Sequence, residues 1–267
     1  MKRFVPFLKK DPIVPVIRLQ GVIASGGGRG ASLNDAGLAP LIEKALRRGK
    51  PAAVALVINS PGGSPVQSSL IAARIRRLAD EKKIKVHAFV EDVAASGGYW
   101  LACAADDIWV DPNSIIGSIG VISAGFGLQD FIARYGIERR VYTAGKSKSM
   151  LDPFKAENPD DVARLRELQD HIHDQFIDHV KASRGSRLPE EQDLFTGEIW
   201  VGQKGIDVGL ADGIGHVVPK MKELYGDKVK LVPYRQRRSL FSRFGAQIAD
   251  DLIGVAEERA LYARFGL

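Results

Sequence analysis

Ser96 is the residue of this sequence best suited to nucleophilic chemistry. It lies in the segment AASGGY (residues 94–99), where an apolar stretch that predicts a strand gives way to a helical pattern. Such a junction presents a side chain at the carboxyl end of a strand, where α/β folds bind ligands, and the helix N-terminus favours developing negative charge. Ala94 replaces the first glycine of a G-x-S-x-G nucleophile elbow. A turn of small residues is also common for structural reasons alone.

A second glycine-rich turn, NSPGG (residues 59–63), follows another predicted strand. Proline and glycine are frequent in any turn. The backbone N–H groups of Gly62 and Gly63 would also suit an oxyanion hole, in which one donor contributes about 2.7–4 kcal/mol of transition-state stabilisation. Two such turns at the ends of neighbouring strands favour a site for acyl transfer.

A serine nucleophile needs a base within reach. His171, His173 and His179 fall on the predicted long helix and are interpreted as surface residues. His87, within a predicted strand, and His216 have no evident carboxylate partner in the sequence. A lysine can replace histidine only when it is uncharged, which requires burial to lower its pKa from about 10.4. Lys146 and Lys148 lie in the loop 145–153. Spacing alone does not choose between them, and a solvated lysine-rich loop is the alternative.

The composition is that of an ordinary globular protein, with 45% hydrophobic and 26% charged residues. The single cysteine, Cys103, excludes an internal disulfide and a multi-cysteine metal site. Its helical setting makes it a distant candidate as nucleophile. The stretch Gly26–Gly30 lacks the ending of a phosphate-binding loop. We therefore predict no metal and no organic cofactor, and the net charge of +6 without a nucleic-acid motif predicts no nucleic-acid partner.

The elements that must position these residues alternate along the chain. Apolar β-branched stretches predict strands at 13–23, 52–58, 84–90 and 107–110, and helical patterns follow at 34–48, 66–81 and 97–105. This alternation indicates βαβ units and a largely parallel sheet.

Further along, the pattern predicts a helix near 128–135 and a strand at 138–143. Asn158 and Pro159 begin a long helix. Its apolar stripe predicts a face towards the core: Val162, Leu165, Leu168, Ile172, Phe176 and Val180. After Arg235 a second stripe predicts a C-terminal amphipathic helix: Phe241, Phe244, Ile248, Leu252 and Val255.

Four motifs, taken in order, resemble the bacterial signal peptide peptidase A family: NSPGG, ASGGYW, GSIGV and G-x-x-K-x-x-x-x-P. The resemblance covers roughly residues 13–232. It implies the fold shared by the Clp protease subunit and the crotonases, an α/β architecture of repeated βαβ units. We expect an N-terminal extension at 1–12, a peptidase domain at 13–234 and a C-terminal amphipathic helical tail at 235–267.

The resemblance also implies roles for individual residues. It implies a serine endopeptidase with a Ser–Lys dyad that hydrolyses hydrophobic or unfolded peptides, remnant signal peptides among them, through an acyl-enzyme. Ser96 would be the nucleophile, Lys148 the general base, and Ser118 of GSIGV the hydroxyl that orients the lysine. The oxyanion hole would be formed by Gly62, Gly63 and Gly97.

Family members assemble into rings or domes in which the dyad is shared between subunits, so the resemblance implies a homo-oligomer with peptide substrates. The chain has no stretch that predicts a signal peptide or a transmembrane helix. We expect a cytoplasmic protein or one peripheral to the inner membrane. Peripheral membrane contact through the C-terminal helix, with Arg235, Arg237 and Arg238 near anionic headgroups, is one alternative; docking on the protein body is the other.

Two other functions are compatible with the same motifs. A crotonase-type enzyme acting on an acyl-thioester would use the glycine N–H groups without needing Ser96 or Lys148. An inactive scaffold of the same fold would perform no turnover, although the intact Ser96, Ser118 and Lys148 argue against it.

Overall fold

The computed structural model describes residues 11–25, 32–235 and 259–267 of the chain. Within these residues one sheet contains eight strands: β1 (Ile13–Gln20), β2 (Ala53–Ser60), β3 (Lys85–Ala95), β4 (Asp107–Val110), β5 (Ile115–Gly117), β6 (Ile199–Val201), β7 (Gly213–Ile214) and β8 (Lys230–Tyr234). The main order is β6-β5-β3-β2-β1-β8, with β4 beside β3 and β7 beside β4. Only the β5–β6 pairing is antiparallel. The mostly parallel α/β sheet predicted from the sequence is confirmed.

The helices of the described residues follow the strands in the expected alternation. They are α1 (Asp35–Arg47), α2 (Pro65–Lys82), α3 (Gly97–Ala102), α4 (Gln129–Arg134), α5 (Pro159–Arg184), α6 (Gln203–Asp207) and α7 (Val217–Tyr225). The Asn34 side chain caps α1 by accepting the Gly37 N–H at 2.8 Å, and Asn158 caps α5 by accepting the Asp160 N–H at 3.0 Å. These caps satisfy N–H groups that have no partner within the helix.

The central strand β2 is buried along its whole length, so it contributes to a core on each face of the sheet. Val54, Leu56 and Ile58 pack against α1, α2, α3 and α5, whereas Ala53 and Ala55 point the other way, towards Met221 of α7. Successive side chains of a strand point to opposite faces, which explains this division. Burying each large aliphatic side chain stabilises the fold by about 1.5–3 kcal/mol.

One prediction about the middle of the chain is wrong. Residues 138–143 form no strand, and no residue between Ile122 and Glu157 is buried; we call residues 122–157 the exposed segment. An extended stretch becomes a strand only where a neighbour pairs with its backbone, and none does so here within the described residues.

The apolar stripe of α5 faces the core over only half its length. Phe176 and Val180 are buried, but Leu168 is 41% exposed and Val162 and Leu165 are half-buried. The first half of α5 follows the exposed segment directly, so it extends beyond the part of the sheet that could cover it. The predicted C-terminal helix at 241–255 lies outside the described residues. None of the described helices combines the length and the apolar character needed to cross a bilayer.

Candidate active site

Ser96 occupies the junction of β3 and α3 in a backbone conformation that few non-glycine residues adopt. Its φ is 50° and its ψ is −122°, and its side chain does not cap the helix that follows. A positive φ is strained for a residue with a Cβ, and such strain persists only where neighbouring contacts fix it. Here the Ser96 N–H donates to the Gly117 carbonyl at 2.8 Å. A Cβ added at Gly98 would lie 2.4 Å from the Ser60 carbonyl oxygen, so α3 packs directly on β2.

The two glycine-rich turns meet beside Ser96. A Cβ added at Gly62 would lie 2.8 Å from both the Gly97 nitrogen and the Ser96 Cβ, which leaves room for glycine alone. The Gly62 N–H donates to the Ser60 hydroxyl at 3.2 Å. By contrast, the N–H groups of Gly63 and Gly97 donate no hydrogen bond to any described residue. These two free donors next to a serine hydroxyl form the arrangement that an oxyanion requires.

Ser118 lies next to Ser96 on the neighbouring strand. β3 and β5 pair in parallel with Ala95 opposite Gly117, so each serine comes directly after one member of this pair. Ser118 also has a positive φ, 52°, and its N–H donates to the Glu198 carbonyl at 2.6 Å. The register of the sheet therefore brings together two serines that are far apart in the sequence.

A small apolar cavity of about 20 Å³ adjoins Ser96, and it is lined by Gly63, Pro65, Gly97, Trp100, Gly120, Val121, Ile172 and Phe176. Trp100 forms its wall because it stacks on Phe176, with ring centroids 4.9 Å apart, and on His179 at 4.8 Å. The His179 Nε2 donates to the Trp100 carbonyl at 3.0 Å. Burial lowers the pKa of His179, an effect that this hydrogen bond opposes. A neutral, apolar wall beside the serine suits an apolar side chain of a peptide.

Lys148 does not lie with these residues. It is exposed in the exposed segment, where it lines a separate hollow with Arg139, Val141, Thr143 and residues 149–153. Lys146 is exposed in the same loop. Within the single chain the structure thus brings together Ser96, Ser118 and the three glycines, but neither lysine.

The sequence showed no carboxylate partner for His87 and His216, but each has one, and two of the three α5 histidines are half-buried rather than exposed. His87 is buried, with its Nδ1 2.8 Å from Asp107 and its Nε2 2.8 Å from the Tyr225 hydroxyl. His216 contacts Asp111 at 2.9 Å, whereas His173 and His179 of α5 reach backbone carbonyls near the candidate site. Their partners come from distant parts of the sequence, which is why local spacing missed them.

Cys103 is buried, and burial raises the pKa of its thiol to about 12, although the nearby Arg184 acts in the opposite direction. A thiol that stays protonated is a poor nucleophile. In the described part of the chain, no three His, Cys, Asp or Glu side chains are grouped so that they could hold a metal ion.

Trp100, Ile172 and Phe176 are site residues that the sequence analysis did not assign to the site. Trp100 comes one helical turn after Ser96, so it lies on the same side of α3 as the serine. Ile172 and Phe176 belong to the predicted stripe of α5, but the sequence could not indicate which part of the core that stripe meets.

Comparisons with known proteins find a peptidase family, protease relatives and a longer relative that is named an antiporter. The model of peptidase family S49 matches residues 78–228. The chloroplastic serine protease SPPA of Arabidopsis thaliana is 31% identical over 76% of this chain and 30% of its own length. A Brucella melitensis protein named Na(+)/H(+) antiporter NhaA is 46% identical over 100% of this chain and 39% of its own. The chain thus spans about two fifths of the length of that relative.

Solved structures support the fold. A lysine-to-alanine mutant of the 1510-N membrane-bound stomatin-specific protease, in complex with a substrate peptide, superposes with a TM-score of 0.50. The match covers 93% of this chain and 99% of that one at 14% identity. A serine-to-alanine mutant of the same protease also gives a TM-score of 0.50, at 15% identity over 84% of this chain and 98% of that one.

Proposed function

Because the chain belongs to peptidase family S49, the signal peptide peptidase A family, we propose that it is a serine endopeptidase with a Ser96–Lys148 dyad. One observation carries the proposal: Ser96 lies beside two backbone N–H groups, those of Gly63 and Gly97, that have no acceptor within the described residues. Backbone donors left free beside a strained serine are costly to the fold, and an oxyanion would satisfy them.

The proposed reaction is acyl transfer. Uncharged Lys148 removes the proton from the Ser96 hydroxyl as its oxygen attacks the carbonyl carbon of the peptide. The negative oxygen of the tetrahedral intermediate accepts hydrogen bonds from Gly63 and Gly97, and Lys148 then protonates the departing amine. Water activated by the same lysine hydrolyses the ester. Ser118 holds the lysine through its hydroxyl, while Gly62 keeps the turn close to Ser96.

The base would come from a second copy of the chain. Lys148 lies in the exposed segment, whose large apolar side chains are left uncovered by the described residues: Phe126 and Tyr142 are 84% and 91% exposed. The half-covered stripe of α5 continues this uncovered surface. A neighbouring subunit in a ring or dome would bury both surfaces and carry its Lys148 towards Ser96 of the first chain. Burial at such an interface favours the uncharged form that a lysine base needs.

The proposed substrates are hydrophobic or unfolded peptides, including remnants of signal peptides. The wall of Trp100, Ile172 and Phe176 beside Ser96 supports this choice, because it offers apolar surface and no charge. The cavity of about 20 Å³ is close to the space of one water molecule. It therefore favours a small apolar residue before the scissile bond unless the α5 side chains move.

The test is hydrolysis of fluorogenic peptides with small or large apolar residues before the scissile bond. Ser96→Ala and Lys148→Ala should each lower kcat/KM at least about a thousandfold, whereas Lys146→Ala, a matched change in the same loop, should leave it within about threefold. If Ser96→Ala cleaves as fast as the wild type, the mechanism is wrong. If Lys146→Ala is inactive and Lys148→Ala is active, the base is misassigned.

A further inference from the structure

The turn that carries Ser118 is held by a hydrogen bond from a distant helix. Within this turn (residues 117–120), the Gly117 carbonyl accepts from Ser96, the Ser118 N–H donates to Glu198, and the Gly120 N–H donates to the Ser118 carbonyl. Ile119 is fully buried, and its carbonyl lies 3.1 Å from the Nε2 of His173. A buried carbonyl without a donor destabilises the fold, so this contact satisfies the Ile119 carbonyl.

The direction of this hydrogen bond follows from its chemistry. A carbonyl oxygen can only accept, so the Nε2 of His173 carries the hydrogen. His173 belongs to α5, which is separated from the turn by the whole exposed segment. The contact therefore fixes the distance between α5 and the strand that ends next to Ser96.

The same helix holds the other side of the site. Phe176 and His179, one and two turns further along α5, stack on Trp100 of α3, the helix that begins after Ser96. α5 thus contacts the nucleophile's helix through Trp100 and the Ser118 turn through His173. The β3–β5 register brings Ser96 and Ser118 together, and α5 contacts both sides of this pair.

We propose that His173 is a positioning residue, which fixes the Ser118 hydroxyl by holding the Ile119 carbonyl. Ser118 has a φ of 52°, so its backbone relaxes when a neighbouring contact is lost. The inference rests on the proposed function, in which Ser118 orients Lys148. His173 itself touches neither the substrate nor Ser96.

The first test compares three variants by peptide hydrolysis. His173→Phe keeps the ring but removes the donor, and kcat should fall about tenfold with KM within about twofold. His173→Gln restores an N–H that can reach the Ile119 carbonyl, so it should retain at least about a third of kcat. His171→Phe, an exposed neighbour on the same helix, should match the wild type. A Phe variant with full activity, or a Gln variant as impaired as the Phe variant, would overturn the proposal.

A double-mutant cycle tests whether His173 acts through Ser118. In a Ser118→Ala background His173→Phe should lower kcat by less than about twofold, because the group that it positions has been removed. A full tenfold loss in that background would instead indicate that His173 stabilises the site in general. If His173→Phe fails to fold, His173→Gln is compared with His173→Asn instead. The Asn amide is too short to reach the Ile119 carbonyl, so it takes the place of the Phe variant.

Hydrogen exchange tests whether the His173–Ile119 hydrogen bond holds the turn, and it does not require peptidase activity. The amide hydrogens of Ser118 and Gly120 should exchange at least about fivefold faster in His173→Phe than in His171→Phe. Unchanged exchange would overturn the proposal even in an active enzyme. A wild-type chain without peptidase activity would overturn the proposed function, and the exchange result would still decide whether His173 holds the turn.

Discussion

Ser96 has a conformation that its neighbours impose. The Gly117 carbonyl accepts its N–H, and Gly62 lies closer to it than any residue with a side chain could. Gly98 likewise allows α3 to lie directly against the Ser60 backbone. The glycines thus do two things at once: they permit close packing, and two of them leave donors free. Among the described residues, no charged side chain lines the cavity beside Ser96.

Cys103 provides a prediction at the scale of one residue. Burial raises the pKa of its thiol to about 12, so at pH 8 less than about one molecule in a thousand carries the reactive thiolate. Iodoacetamide at pH 8 should therefore leave Cys103 unmodified in the folded protein and modify it fully in guanidinium chloride, as measured by intact mass.

The same experiment tests whether a cysteine contributes to catalysis. Peptidase activity should survive incubation with iodoacetamide and should be lost with a fluorophosphonate, which reacts with an activated serine. Rapid modification of Cys103 in the folded state, accompanied by loss of activity, would contradict both the buried position and the choice of Ser96.

At the scale of elements, α5 is divided into two halves with different functions. Its second half packs on Trp100 and ends in Arg184, which is fully buried beneath the site. The Arg184 guanidinium donates to the two Asp212 carboxylate oxygens at 2.8 and 3.0 Å and to the Gly209 carbonyl at 2.8 Å. This ion pair fixes the end of α5 to the chain that leads into β7.

The Arg184–Asp212 pair leads to a prediction about stability and pH. Burial would raise the pKa of Asp212, but hydrogen bonds from Arg184 and from the Ile108 N–H outweigh it and lower that pKa. Asp212→Asn leaves a buried cation without its partner, so the free energy of unfolding at pH 7 should fall by about 3–5 kcal/mol. Denaturant unfolding measures this loss, with the exposed Asp207→Asn as the control.

The sign of the pH dependence follows from the lowered pKa. A carboxylate that is more acidic in the folded state stabilises the protein above its unfolded pKa of about 3.9, and the contribution is lost as the pH falls through the folded pKa. The difference in the free energy of unfolding between the wild type and Asp212→Asn should therefore have its full value at pH 7 and become smaller below about pH 4. A difference that is constant from pH 7 to pH 3 would contradict an ionised Asp212.

At the scale of the whole molecule, the sequence predicts the sheet better than it predicts the surroundings of the site. The strand before Asn59 is a continuous apolar run and the strand before Ser96 is rich in apolar residues, and local patterns of this kind need no knowledge of distant contacts. The proximity of Ser96 to Ser118 depends instead on the register between β3 and β5. The contacts of His173 depend on where α5 crosses the sheet, which no periodicity within the helix specifies.

The wrong strand at 138–143 and the uncovered stripe of α5 have a common origin. Tyr142 in the first stretch is 91% exposed and Leu168 in the second is 41% exposed, and the described residues do not cover them. A pattern of hydrophobicity indicates that a surface is to be buried, without indicating whether its partner is the same chain or another. A second copy that contributes Lys148 would account for both discrepancies.

Mixing two inactive variants tests this arrangement. If each site takes Ser96 from one chain and Lys148 from the next, Ser96→Ala and Lys148→Ala subunits can form intact sites at their shared interfaces. Equimolar random mixing followed by reassembly should then restore about one quarter of the wild-type activity, because each site needs one intact serine and one intact lysine. Peptide hydrolysis measures this recovery, with light scattering to establish that all samples assemble equally.

A double variant provides the matched control. Ser96→Ala mixed with Ser96→Ala/Lys148→Ala contains no intact serine, so it should remain inactive at every ratio. If the first mixture also stays inactive while both variants coassemble, the serine and the lysine of one site must belong to the same chain. The exposed segment would then have to fold back onto the body of its own subunit to bring Lys148 to Ser96. Recovery near one quarter instead means that the assembled ring, and not the single chain, is the unit of catalysis.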